Sequence, residues 1–342
     1  MRDMTIKDIA KRCNVSTATV SKALNHATDI SEETADRIRR VARELGYFPN
    51  AAARALKTNR SYNIGILFAE YGILGELIKG QVHEFFVQVI NNFQVEAERS
   101  GYDVTFITHH IGDTKMSYFE HCKYRNFDGV MIAGVDFDDP EVLELVNSDI
   151  PAVTVDHVFD YRSAVTLDNV NGIRDLVHYI YGKGHRKIAF IHGDDVTVTK
   201  YRLASFYKTC EELGISIPAE YMRAAHFHDP PSCAVATREL LALRDKPTCI
   251  MYPDDFAFIG GMEEIERHGL SIPDDISVVG FDGIYLSQIF RPRLTTIKQD
   301  TERIGVEAAK LLVNAMTSPK VYIPTHTIIP GTLMEGDSVK QL

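Results

Sequence analysis

From residue 62 onward, short apolar runs of strand-like texture alternate with amphipathic helical stretches, and this cadence limits the fold more than any other feature. The runs fall at 63–68, 103–107, 129–133 and 152–155, and again at 187–191, 248–252 and 277–281. Helical periodicity fills the intervals, for example over 84–100, 170–182 and 302–316. Strands alternating with helices predict parallel sheets covered on both faces. The cadence runs in two series, which predicts two lobes, with the chain crossing between them near 157–165 and near 285–300. In folds of this kind ligands bind beyond the carboxyl ends of the strands, and two lobes leave a cleft there.

The first sixty residues have a different texture. Thr5 is placed to cap a short helix, with Asp8 three residues on in a capping-box spacing, and Ile6, Ile9 and Ala10 form its apolar face. Cys13-Asn14-Val15 is a tight turn, and Ser16 caps a second helix whose stripe is Val20, Ala23 and Leu24. Ser31 caps a third, with Ile38, Val41, Ala42 and Leu45 on one side and Gly46 as its stop. Pro49-Asn50 breaks the pattern, 51–56 are mostly helix formers, and 58–61 read as a linker.

Charge separates the same two parts. The whole chain carries a net charge of -10, which alone argues against a polyanion partner. Residues 1–60 nevertheless hold 12 Lys and Arg against 7 Asp and Glu, a balance of +5, and the remainder stands at -15. A basic head on an acidic body predicts a nucleic-acid contact confined to the head. The five cysteines are scattered without a CxxC pair, so neither a disulfide framework nor a zinc knuckle is expected. No apolar run reaches the roughly 18 residues of a membrane helix. Neither a phosphate-binding loop, a GxSxG elbow nor an HExxH pair is present, so no cofactor, no metal and no enzymatic activity is expected.

In a helix-turn-helix the first helix buttresses and the second enters the major groove with its N-terminal side chains at the base edges. Thr17, Ala18 and Lys22 are predicted base readers, Thr17 by hydrogen bonding and Ala18 by packing on a thymine methyl. Ser16, Thr19, Ser21 and Asn25 suit phosphate contacts, and Thr5 joins this DNA-binding set. Two short capped helices alone are equally compatible with an ordinary helical hairpin.

The segment TIKDIAKRCNVSTATVSKALN, residues 5–25, resembles the helix-turn-helix of the lactose repressor (LacI/GalR) family nearly residue for residue. The likeness continues through ELGYFPNAAARAL, residues 44–56, which is similar to that family's GYxPNxxARxL stretch. It extends over the body through GHRKIAFI (184–191), IPDDISVVGFD (272–282), RPRLTTIKQ (291–299) and GTLM (331–334). The resemblance implies a helix-turn-helix domain over 1–48 and a hinge helix and linker over 49–61. A two-lobed effector-binding and dimerisation core, similar to periplasmic binding proteins, would occupy 62–342.

In such a hinge, Leu56 would be the minor-groove wedge, with Asn50 and Ala53 near the backbone. An apolar wedge unstacks bases at a cost of a few kcal/mol that added contacts offset. Ala55 departs from the serine common in the family. The implied function is a dimeric transcription regulator, in most cases a repressor of carbohydrate-utilisation genes, located in the cytoplasm at the nucleoid. It would bind a pseudo-palindromic double-stranded operator and be controlled by a small ligand, expected to be a neutral sugar. A transport-type sugar-binding protein is the alternative, opposed by the basic head.

Within the cleft, Asp156, Asp254 and Asp282 each follow a strand and so lie at strand carboxyl ends. Arg202 matches the arginine that family members aim into the cleft. Carboxylates and an arginine suit a polyhydroxyl ligand and disfavour a phosphorylated one, with a nucleobase as the other ligand class they admit. His228 and Phe86 are candidate aromatic platforms for a sugar face, and Phe85 is a third. The loop 70–84 differs from the short loop usual in the family. Of the remaining acidic pairs, Asp274 is expected to cap a turn.

Overall fold

The computed structural model describes residues 4–24, 29–48, 55, 58, 60–68 and 84–342. Asn25, Asn50, Ala53 and Leu56, and residues 70–83 of the distinctive loop, lie outside the described residues. The chain divides into two compact units, Met1–Ser61 and Tyr62–Leu342.

Among its described residues the first unit has three helices with full ranges, α1 (Ile6–Cys13), α2 (Thr17–Leu24) and α3 (Glu32–Glu44). Local chemistry sets their ends. The Thr5 amide and hydroxyl both donate to the Asp8 carboxylate, at 2.9 and 2.6 Å. Asn14 leaves α1 in the left-handed region (φ 52°), a conformation asparagine tolerates. Ser16 Oγ accepts from the Thr19 amide at 3.0 Å and Ser31 Oγ from Thr34 at 3.4 Å, so both serines act as N-caps. Ile9, Ala10, Cys13, Val20, Ala23, Ala35, Ile38 and Ala42 close the core between the three helices. Arg37 and Arg39 donate to the Cys13 and Ala23 carbonyls and tie α3 to the ends of the other two.

The second unit begins with β1 (Asn63–Phe68), α4 (Glu84–Arg99), β2 (Asp103–Phe106) and a short hairpin of β3 (His110–Ile111) and β4 (Thr114–Lys115). There follow α5 (Tyr118–Arg125), β5 (Gly129–Ala133), α6 (Pro140–Asn147), β6 (Ala152–Val155), β7 (Ser163–Leu167) and α7 (Asn169–Gly182). The second series is β8 (Ile188–His192), α8 (Thr197–Glu212), β9 (Met222–Ala224), α9 (Pro230–Leu241), β10 (Cys249–Met251), α10 (Phe258–Arg267) and β11 (Ser277–Val279). The chain closes with α11 (Tyr285–Ile289), β12 (Thr296–Lys298), α12 (Thr301–Thr317), β13 (His326–Ile329) and β14 (Thr332–Met334).

The strands form a parallel six-stranded sheet of order β13-β7-β6-β5-β1-β2 and a parallel four-stranded sheet of order β11-β10-β8-β9. Helices α4 and α12 cover one face of the first sheet and α5 and α6 the other. In the second lobe, α9 and α10 cover one face and α7 and α8 the other. Central strands are buried on both faces, which is why they read as unbroken apolar runs: Gly129–Ala133 is buried throughout.

The lobe crossings differ from expectation. Residues 157–162 do not change lobe: they fold back to join β6 and β7, neighbours in one sheet. Strands of four or five residues span only about 13–17 Å, so a short loop without a helix suffices to return. The chain first passes to the second lobe between β7 and α7, at 167–169. It returns to the first at 298–301, between β12 and α12, at the far end of the predicted interval. A third passage joins β13 to β14, which pairs antiparallel with β12. Of the acidic turn pair, Asp275 rather than Asp274 makes the cap, accepting from the Ser271 amide and hydroxyl.

Candidate DNA-binding head and effector cleft

On α2 the side chains sort by helical position. Val20 and Ala23 are buried, whereas Thr17, Ala18 and Lys22 are exposed and Ser21 is half-buried. Positions 17, 18, 21 and 22 lie on one face, so the predicted base readers share the side of α2 turned away from the three-helix core. The Ser16 and Thr19 hydroxyls bond each other at 2.8 Å. Thr5 is exposed beside its Asp8 partner. Lys22 forms an ion pair with Asp29, in the turn before α3.

In the second unit the predicted carboxylates converge on one guanidinium. Arg202 lies in α8, which starts beyond the carboxyl end of β8, and only 5% of its surface is exposed. Its Nε donates to Asn169 Oδ1 at 2.7 Å and Nη1 to the Pro253 carbonyl at 2.8 Å. Its plane stacks 3.6 Å from the Phe281 ring centroid, with the Phe227 ring at 5.7 Å. Burial pulls the guanidinium pKa down, and the charges of Asp282, Asp156, Asp254 and Asp255 oppose that pull.

The four carboxyls have different environments. Burial pushes Asp282 up to about 7, against the Arg202 charge, and its Oδ1 accepts from Gln299 Nε2 at 2.5 Å. Burial likewise raises Asp156 to about 6, opposed by the Leu167 amide and Arg202. Burial also pushes Asp254 up, but the neighbouring His228 charge and the amides of His228 and Ala257 win and hold it at about 2. His228 Nδ1 stands 3.4 Å from its Oδ1. Asp255, fully buried, is raised well above the usual carboxylate range by burial and then by Asp282. It accepts from Thr296 Oγ1 at 2.7 Å and the Ile284 amide at 3.1 Å, and so fixes the turn that presents Asp282. Asp156, His228 and Asp282 all hold positive φ, at 64°, 54° and 106°. Such strain in residues other than glycine collects at sites where the surroundings dictate the geometry.

Phe86 stands apart from this cluster in the first lobe, edge-on to Phe68 at 5.0 Å and to Phe85 at 4.9 Å, near the carboxyl end of β1. Phe85 itself is core, 4% exposed. The lobes are tied across the cleft where the Tyr285 amide donates to both Glu84 oxygens, at 2.9 and 3.0 Å. Within the first lobe, Thr301 Oγ1 donates to Gln88 Oε1 at 2.7 Å and joins the N-terminal ends of α12 and α4.

Sequence reasoning missed Asn169, Phe227, Phe281, Asp255 and Gln299, which surround Arg202 or hold its partners. Gln299 sits in the recognisable 291–299 segment, but nothing in its local pattern shows that it meets Asp282 across a turn. The side-chain atoms Gln299 Oε1 and Thr199 Oγ1 are buried without a hydrogen-bond partner. Among the described residues no group of three or more His, Cys, Asp or Glu could hold a metal, and no helix is long and apolar enough to cross a membrane.

Residues 5–50 match the family model described as bacterial regulatory proteins, lacI family, and residues 177–339 match the periplasmic binding protein-like domain. The chain is 32% identical to the probable HTH-type transcriptional repressor ExuR of Bacillus subtilis (strain 168), over 99% of each chain. It belongs to the lacI family of bacterial regulatory proteins. Like the rest of this family, it is a DNA-binding transcription regulator with a ligand-binding core. The fold agrees with solved structures. The lac repressor dimer bound to operator and the anti-inducer ONPF superimposes with a TM-score of 0.77 at 24% identity, covering 99% of this chain and 100% of that one. A transcriptional regulator CelR–cellobiose complex gives 0.70 at 24% identity, covering 98% and 99%.

Proposed function

We propose that this lacI-family regulator represses carbohydrate-utilisation genes and is controlled by a neutral sugar bound between the lobes. The observation that carries the reading is Arg202, buried and stacked on Phe281 among Asp156, Asp254 and Asp282, at the carboxyl ends of strands from both lobes. Hydroxyl groups satisfy such a ring by donating to carboxylates and accepting from the guanidinium. A phosphate would meet four carboxyls for one arginine. The relative solved with cellobiose shows that this fold accepts a sugar.

Thr17, Ala18 and Lys22 are assigned to base edges, with Thr5, Ser16, Thr19, Ser21 and Asn25 on the phosphates. Asn50, Ala53 and Leu56 are assigned to the hinge, with Leu56 at the centre of a pseudo-palindromic operator. Such a site requires a homodimer. The outer face of α4 exposes Val87 and Val95, two turns apart with the polar Asn91 between them, and edge strand β2 exposes Phe106, apolar side chains suited to a second copy. DNA binding places the protein in the cytoplasm.

The test is a thermal-shift screen of the full chain against neutral sugars, sugar phosphates and nucleobases. A neutral sugar that raises the melting temperature of the wild type, and not of Arg202→Ala or Asp282→Ala, supports the reading. A response to phosphorylated compounds or bases alone overturns it. The same sugar's effect on operator affinity then gives the sign of regulation.

A further inference from the structure

The Lys22 ammonium, on the exposed face of α2, is bound by a carboxylate of its own chain. Lys22 Nζ pairs with Asp29, seven residues on, in the turn that leads to Ser31 and α3. Both side chains are more than half exposed, at 51% and 58%. The lysine lowers the Asp29 pKa below the usual carboxylate value, as an ionised partner does.

We propose that Asp29 sets the DNA affinity of the head by holding Lys22, so that a duplex must displace this carboxylate before Lys22 reaches a base edge or a phosphate. This rests on reading the exposed face of α2 as the DNA-contacting surface.

Displacement has two physical consequences. Breaking the pair subtracts the energy of an exposed ion pair from every contact Lys22 makes, which weakens binding to any duplex. The ion balance also changes. A lysine arriving from solvent releases a condensed counterion, which contributes about 0.9 to the slope of log K against log salt. A lysine arriving from Asp29 leaves a bare carboxylate beside a polyanion, and that carboxylate takes up a cation from solution. The contact then contributes little net release. Asp29 therefore makes binding both weaker and less dependent on salt than the count of basic residues implies.

The test is a double-mutant cycle on the full chain, with wild type, Asp29→Asn, Lys22→Met and the double variant. Binding is read by fluorescence anisotropy over a salt series. One probe is a fixed non-operator duplex and the other a duplex selected from a random library with the wild type. Asp29→Asn is expected to bind both duplexes about threefold tighter, a factor within the range of exposed ion pairs. Its salt slope should steepen by up to about 0.9. Lys22→Met should weaken binding, and adding Asp29→Asn to it should leave the slope where it was. Asp29→Ser supplies a second variant without a carboxylate, and a circular dichroism melt establishes that each head is folded. An unchanged slope in Asp29→Asn overturns the proposal. So does an equal gain with and without Lys22, which would mean only that one negative charge had been removed. If Lys22→Met binds both duplexes as the wild type does, it is the placement of Lys22 at the DNA that fails.

Discussion

Asp282 and Asp156 keep carboxyl protons to about pH 7 and about pH 6, because burial, joined at Asp282 by the charge of Asp254, outweighs the attraction of Arg202. In the unfolded chain the same groups ionise near pH 4. Between about pH 4 and pH 7 the folded state thus binds more protons than the unfolded state. Stability falls as pH rises through that window and levels off above it. Asp254 acts with the opposite sign, contributing stability that is lost only as pH falls toward 2. Asp282→Asn is therefore expected to melt higher relative to the wild type at pH 7.5 than at pH 5. A difference that does not change with pH would contradict the assignment. Arg202→Ala should cost about 3–5 kcal/mol near neutral pH, as breaking a buried charge cluster does. The loss should shrink at pH 5, where Asp282 and Asp156 are protonated and less in need of a cation. Urea unfolding at the two pH values reads both effects.

At the scale of elements, the close crossing of α4 and α12 holds the first lobe's outer layer. A Cβ at Gly305 would stand 2.5 Å from the Val89 carbonyl oxygen and 2.7 Å from the Phe93 amide nitrogen, both backbone atoms that can move only if the helices part. Gly305→Ala is expected to destabilise by about 1–3 kcal/mol through overpacking, although alanine is the better helix former. Gly182, at the end of α7, has nothing within 4 Å of its would-be Cβ. Gly182→Ala should be neutral or stabilising by up to about 1 kcal/mol. Denaturant midpoints of the two variants separate contact geometry from helix propensity. The same α4 supplies Glu84, which accepts from the Tyr285 amide of the second lobe, so its placement bears directly on how the lobes meet.

For the whole molecule, the proposed control of DNA binding by an effector depends on the proposed dimer. On the proposed reading, closure of a cleft spanned by three chain crossings would change the relative orientation of the lobes, and a dimer would pass that change on to its heads. Val95→Arg or Phe106→Glu, each at an exposed apolar side chain of the first lobe, should yield monomers by sedimentation. These should keep the sugar-induced thermal shift and lose at least tenfold in operator affinity, an effect of about 1.4 kcal/mol or more. A variant that remains dimeric would move the interface elsewhere.

The sequence by itself determined whatever depends on neighbours in the chain. The caps at Thr5, Ser16 and Ser31 form as read, because each is completed within three residues. The seven strands read from apolar runs appear within a residue or two of expectation, because burial on both faces of the central ones requires an unbroken apolar run, whereas β7 and the short strands β3, β4, β9 and β12–β14 were not read. Asp156, Asp254 and Asp282 were legible as lying beyond strand carboxyl ends, Asp156 directly after β6 and the other two three residues past β10 and β11, and family likeness pointed to Arg202. Tertiary structure alone decided the rest. The loop 157–162 has the composition of a lobe crossing, and only strand pairing shows that it returns to its own sheet. Asp255 reads as half of an acidic pair, yet it anchors Thr296 and Ile284, which are far away in sequence. Gln299, Phe227 and Phe281 reach the site through contacts spanning 17 to 79 residues, and no local pattern encodes a partner at that distance. The split of carboxyl pKa values, from about 2 to about 7, belongs to burial and charge in the assembled cleft, since along the chain these are aspartates of the same intrinsic acidity.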